Sequence, residues 1–321
     1  MDVHTVARII MDEHTLDRLR GCVVGAAIGD ALGMPLEFKS PSPPDRLVSE
    51  MLPGRLPAGS FTDDTEMALA LADSLLHHAP LDGSDLAQRF AAWYEAGPSD
   101  VGVQTSQVLS RIARGETWEK AAEKVFQQNP NSAGNGSLMR AWPVALAHFN
   151  APESLVADSL LQSRVTHPHP DCMAACALAC LMIWQLSQGT SPAATFETAL
   201  TKVDLAADFQ QMLADAPLRR RSELKSSGWV RHTLESALWG LLATHSFEEA
   251  AVQVANLGND ADTAASVTGA LAGAAYGLSA IPPTWLDQLQ GEWPLRSGLR
   301  WHTPDFIHLA DRLIDVEGKY K

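Results

Sequence analysis

The chain has 321 residues, with 24 Lys and Arg against 38 Asp and Glu, a formal net charge of −14 with histidine neutral. At 46% hydrophobic and 19% charged residues it can bury a sizeable core, which excludes a disordered or low-complexity chain. An acidic excess of this size also demotes nucleic acid as a partner, because duplex binders carry a basic face.

The N-terminal Met-Asp-Val-His has no basic segment leading into an apolar one, so no signal peptide is read there, and residues 1–18 read as a peripheral extension. The stretch Gly21–Gly33 is apolar nearly all round and rich in Ala and Gly, as a buried central helix requires. Ser40–Pro44 and Leu52–Ser60 are loops, and Met67–Leu76 is a second buried helix. Leu86, Phe90 and Trp93 then fall at i, i+4, i+7 between Ser84, a natural N-cap, and Gly97, a stop. Further helices are expected over Val101–Arg111, Trp118–Gln128, Glu153–Ser163, Asp171–Ser187, Trp229–His245, Phe247–Leu257 and Pro304–Val316, with a third buried helix over Ala264–Leu278.

Strict apolar/polar alternation is hard to find anywhere, so the fold class is all-α in one domain. The longest unbroken apolar run, Met173 to Trp184, falls short of the ~20 residues of a membrane span. Three of the four cysteines, Cys172, Cys176 and Cys180, recur at i, i+4, i+8 on one helix face, where disulfide geometry is not available. They read as core filler in a reduced compartment, and the expectation is a cytoplasmic protein, monomeric by default.

Two short segments carry chemistry. Phe61-Thr62-Asp63-Asp64-Thr65 precedes a helix expected near Glu66, and Asn259-Asp260-Ala261-Asp262-Thr263 precedes the Ala264 helix. One such cluster alone would be an ordinary helix cap. Two of them ahead of buried helices place up to four carboxylates in or near the core, and unpaired buried carboxylates are costly. Lys and Arg are scarce nearby, so divalent cations are the obvious compensation; carboxylate and hydroxyl ligands favour Mg²⁺ or Mn²⁺ over zinc. In an extended loop, Asp260 and Asp262 would point the same way.

Taken in order, Gly25-Ala26-Ala27-Ile28-Gly29-Asp30-Ala31-Leu32-Gly33 leading to Glu37, Thr62-Asp63-Asp64-Thr65, Gly134-Asn135-Gly136, Thr166-His167 and Asp260-Ala261-Asp262-Thr263 resemble the ADP-ribosylglycohydrolase family. The similarity runs from about Leu19 to about Leu289 and is nearest to the bacterial, arginine-specific type. It implies an all-α orthogonal bundle around two divalent cations, Mg²⁺ or Mn²⁺. The implied activity is hydrolysis of the glycosidic bond that joins ADP-ribose to a protein side chain, most often arginine. The partners are then an ADP-ribosylated protein as substrate and ADP-ribose as product.

Carried over position by position, the resemblance makes Thr62, Asp63, Asp64, Asp260, Asp262 and Thr263 the metal ligands. Glu37 becomes a glutamate beside the metals that orients substrate or water, and Asp100 the aspartate near the scissile bond. Asn135, Gly136 and Ser137 are assigned to the pyrophosphate or ribose, where glycine lets backbone N–H groups converge on an anion. His167 is assigned to the phosphates, and Trp229 to the adenine or distal ribose. Two departures stand out: Asn259 replaces a common second glycine, and Ser137-Leu138 replaces a pair of small residues. The run Arg219-Arg220-Arg221 reads as a solvated loop. Other ADP-ribose linkages, and a non-catalytic ADP-ribose-binding relative, stay open as alternatives.

Overall fold

The computed structural model describes residues 11–316, so the N-terminal Met-Asp-Val-His and the first ten residues of the expected extension lie outside the described residues. Helix α1 (Glu13–Gly33) opens on an Asp12 cap whose carboxylate accepts the Thr15 N–H at 3.0 Å. After a short 3₁₀ turn come α2 (Asp63–His77), α3 (Gly83–Glu95), α4 (Val103–Ile112), α5 (Trp118–Gln128), α6 (Trp142–Ala147), α7 (Leu155–Arg164) and α8 (Pro170–Ser187). The second half holds α9 (Pro192–Leu200), α10 (Ala207–Asp215), α11 (Val230–Ala243), α12 (Phe247–Ala255), α13 (Ala261–Tyr276) and α14 (Pro283–Gln288). A minimal antiparallel hairpin, β1 (Gln290–Glu292) with β2 (Arg300–His302), leads into α15 (Thr303–Ile314).

The architecture is all-α, as composition and periodicity require, and it is organised by one helix pair. Gly21, Gly25, Gly29 and Gly33, one per turn of α1, face Gly273, Gly269, Ala265 and Ala261 of the antiparallel α13. A methyl carbon at Gly25 would lie 2.4 Å from the Gly269 carbonyl oxygen, and one at Gly269 would lie 2.0 Å from that of Gly25. The two backbones therefore touch with no side chain between them, which only glycine permits. Around this pair pack α2 with α3 and α6, α8 with α7 and α9, and α11 and α12 against α13. One continuous apolar cluster draws on residues from Leu19 to Val316.

By length and composition, Glu13–Leu36 and α8 could each cross a membrane, although unbroken apolar runs did not suggest it. Yet 94% and 83% of their most apolar windows are buried inside the fold. All four cysteines are free and buried, and the thiols of Cys172 and Cys180 donate to the Gly134 and Ala141 carbonyls at 3.2 and 3.3 Å.

Several boundaries differ from expectation for physical reasons. The α3 cap is Asp82, which accepts Ser84 N–H at 2.7 Å, so Gly83 opens the helix and Ser84 is already inside it. Residues 13–18, read as extension, form the first turns of α1. Both acidic segments are also more helical than expected, α2 beginning at Asp63 and α13 at Ala261.

Candidate active site

The helix pair brings three chain segments to one place. Asp30, near the C-terminal end of α1, is fully buried. Its carboxylate accepts four hydrogen bonds from the entry of α2: Thr62 N–H at 2.8 Å, Thr62 hydroxyl at 2.8 Å, Thr65 N–H at 3.1 Å and Thr65 hydroxyl at 2.6 Å. A carboxylate from a distant helix thus caps α2, and this is why the helix starts at Asp63. Asp63 and Asp64 occupy its first turn, while Asp260 is the N-cap of α13 and Asp262 its second residue. The extended ligand loop expected around Asp260 is therefore corrected to a helical first turn, where positive helix ends face the carboxylates.

The turn before Asp260 is locked onto the segment after α1. Gly258, Asn259 and Phe38 have φ of 68°, 52° and 60°. Asn259 N–H donates to Lys39 O at 2.8 Å and Phe38 N–H donates to Asn259 O at 2.6 Å. Asparagine tolerates this left-handed conformation, so it serves where a glycine is otherwise common. The zipper holds Glu37 against the second acidic segment, and one carboxylate oxygen each from Glu37, Asp260 and Asp262 lie within 4.8 Å of one another.

These groups line a cleft of about 770 Å³ that presents Glu37, Asp63, Asp64, Asp100, Asp260 and Asp262; among the described residues its lining holds no Lys or Arg, and the Arg55 guanidinium stands beside it. Burial, reinforced by neighbouring carboxylates, pushes Asp63, Asp64 and Asp262 well above the usual carboxylate range. Burial also raises Asp260, partly offset by the Asn135 hydrogen bond, and Glu37, partly offset by Arg55. Asp64 Oδ1 is buried without a hydrogen-bond partner, while Asp64 Oδ2 accepts the Thr263 hydroxyl at 3.3 Å. An orphaned buried carboxylate oxygen amid an all-oxygen donor set fits hard divalent cations. Thr62 is fully buried and does not line the cleft; its hydroxyl proton is given to Asp30, which leaves its oxygen lone pairs free.

The opposite wall carries Gly134, Asn135, Gly136 and His167. The Asn135 side-chain amide donates to Asp260 Oδ2 at 2.7 Å and to Thr233 Oγ1 at 2.8 Å, so it holds a carboxylate in place. Its backbone N–H is spent on Gly228 O at 3.0 Å. Two expected substrate residues do not line the cleft. Ser137 is fully buried with its hydroxyl 2.8 Å from Ser163 Oγ, and Trp229, 37% exposed, packs edge-on against His232 at 4.7 Å.

Sequence reasoning missed three residues here. Asp30 lay inside a quoted motif but had no role. Arg55 comes from the Leu52–Ser60 loop, and its guanidinium reaches Glu37 at 3.0 Å, Asp100 at 3.5 Å and Asp262 at 3.6 Å. Phe38, at the rim, is 80% exposed. The triple-arginine run is more than a solvated loop, since Arg221 donates to the Ser42, Gln253 and Asn256 carbonyls and ties the segment after Glu37 to the end of α12.

The ADP-ribosylglycohydrolase family model matches residues 11–321. The chain is 34% identical over 305 residues to ADP-ribosylarginine hydrolase Tri1 of Serratia proteamaculans, covering 89% of this chain and 79% of that one. It is 35% identical over 280 residues to the ADP-ribosyl-(dinitrogen reductase) glycohydrolase of Rhodospirillum rubrum, covering 85% and 90%. The human ADP-ribosylhydrolase ARH3 is similar at 27% identity, covering 86% and 90%. A solved ADP-ribosylglycohydrolase-related protein complex superposes with a TM-score of 0.80 at 32% identity, covering 95% of this chain and 99% of that one. With its acidic cleft built on the first turns of α2 and α13, the chain belongs to the ADP-ribosylglycohydrolase family and is a glycosidic-bond hydrolase.

Proposed function

We propose that the protein removes mono-ADP-ribose from a modified arginine side chain, with two divalent cations, Mg²⁺ or Mn²⁺, at the floor of its cleft. Arg55 carries the arginine assignment: a guanidinium already rests on Glu37, Asp100 and Asp262, so these carboxylates suit a guanidine leaving group. The printed names of the Serratia and Rhodospirillum relatives support the same reading.

Thr62, Asp63, Asp64, Asp260, Asp262 and Thr263 would hold the cations, which supply Lewis acidity and concentrated positive charge when bound. Glycosidic cleavage passes through an oxocarbenium-like state, and the surrounding carboxylates stabilise the positive charge growing on the ribose. Asp100, its carboxylate anchored by Val101 N–H at 2.7 Å, moves a proton at the leaving guanidine. Glu37 orients the attacking water. Asn135 keeps Asp260 in position, and the His167 wall faces the phosphates. The target protein is bound at the rim, where Phe38 and Arg55 stand.

The test is release of ADP-ribose from a mono-ADP-ribosylated arginine protein with Mn²⁺, with Mg²⁺ and with EDTA, beside an Asp262→Ala control. Cation-dependent release that the control abolishes is expected. Release from a serine-linked substrate but not from the arginine-linked one would sink the arginine assignment.

A further inference from the structure

Arg140 is fully buried, and among the described residues no carboxylate partners it. Its guanidinium donates to Gln162 Oε1 at 3.1 Å, Gln162 O at 3.0 Å and Thr166 Oγ1 at 2.8 Å, contacts Met67 Sδ at 3.7 Å and lies 4.2 Å from the centroid of the Phe90 ring. A buried cation without a counter-ion is costly, and a fold that keeps one directly behind a binding wall invites a reason.

The geometry supplies it. Thr166 Oγ1, having accepted from Arg140, lies 2.7 Å from His167 Nδ1. A hydroxyl has one proton, and Nδ1 is the neighbour left to receive it; the reverse assignment would strand that proton in the core. Nδ1 therefore accepts, and the imidazole hydrogen sits on Nε2. His167 lines the cleft beside Gly134 and Gly136, which pack so closely that a methyl carbon at Gly136 would fall 3.2 Å from Nε2. Its main chain is pinned on both sides, N–H to Ser163 O at 2.7 Å and carbonyl to the Ser163 hydroxyl at 3.0 Å.

We propose that Arg140 and Thr166 are positioning residues that hold His167, the residue already assigned to the phosphates, as a neutral imidazole with its Nε2–H directed into the cleft. Behind this wall stands a buried guanidinium, and an anionic phosphate brings the counter-charge that Arg140 lacks. The phosphate part rests on the reading of the cleft as an ADP-ribose site; the tautomer does not.

The test is the ¹⁵N long-range spectrum of histidine-labelled protein, with His167 assigned by its loss in His167→Gln. The wild type is expected to show protonated Nε2 and bare Nδ1. Thr166→Val is expected to lose this preference and to weaken ADP-ribose binding in Mg²⁺ about tenfold, while Thr166→Ser restores both. A wild-type spectrum with the proton on Nδ1 would overturn the proposal, as would Thr166→Val with tautomer and affinity both unchanged. Failure of wild-type protein to bind ADP-ribose would instead remove the ADP-ribose reading of the cleft, with the spectrum still deciding the tautomer.

Discussion

Gly25→Ala tests whether the helix pair builds the site. The added carbon would lie 2.4 Å from Gly269 O and 2.9 Å from Phe247 Cε2, both well inside the ~3.5 Å of comfortable non-bonded contact. The helices α1 and α13 must separate by roughly 1 Å to admit it. Overpacking of this kind costs about 1–3 kcal/mol or more, and here the obstacle is backbone that cannot rotate away. Helix propensity acts in the opposite direction, favouring alanine by at most about 1 kcal/mol. The expected net loss is about 2 kcal/mol, read from urea unfolding followed by circular dichroism. Gly102→Ala, whose new carbon meets nothing nearer than Thr105 Oγ1 at 3.9 Å, serves as the stability control. Because Asp262 follows the Gly33–Ala261 contact of the same pair, Mn²⁺ affinity measured by electron paramagnetic resonance should fall together with stability. A Gly25→Ala protein as stable as the wild type would refute the backbone contact. Lost stability with intact Mn²⁺ affinity would refute its link to the site.

The remaining expectations concern single side chains. Asp30→Asn turns an amide towards four donors at the entry of α2 and should cost about 3 kcal/mol in urea unfolding while loosening cation binding; an unchanged midpoint would contradict the capping role. Arg55→Gln removes a competing cation from Glu37 and Asp262 and should tighten Mn²⁺ binding roughly fivefold, whereas weaker binding would show that the guanidinium helps to assemble the site. His167 is pushed down to about 3 by burial and by the Arg140 charge. Its neutral form is favoured in the native state, so this contribution is complete above its unfolded value of 6.5 and is lost as pH falls towards 3. Against His167→Asn, the wild type should lose on the order of 5 kcal/mol more over that window, and parallel stability curves would refute the shift.

The sequence made some of this architecture plain and concealed the rest. The near-continuous apolar, glycine-rich composition of α1 and α13 marked them as central, because helices in backbone contact have no room for anything else. The two acid–threonine clusters were visible because each sits at the entry to such a helix. The start of α2 was misplaced by three residues because its cap, Asp30, comes from another helix, and no local pattern announces a partner 32 residues away. Arg55 was invisible for a related reason: a lone arginine in a Pro/Gly loop has no periodicity, and only the folded path carries it to the carboxylates. Arg140 was equally invisible, since nothing around it in sequence says that its charge is buried.

The contrast between floor and rim bears on how such an enzyme diversifies. Residues on the first turns of α2 and α13 are bound to a helix pair that tolerates no added carbon, so substitutions there are eliminated whatever the substrate. Phe38 and Arg55 come from the connection between α1 and α2, where a change of side chain leaves the backbone contact between α1 and α13 untouched. Selection for a new target protein can therefore act on that connection alone. A saturation-mutagenesis map should show an intolerant floor beneath a permissive rim.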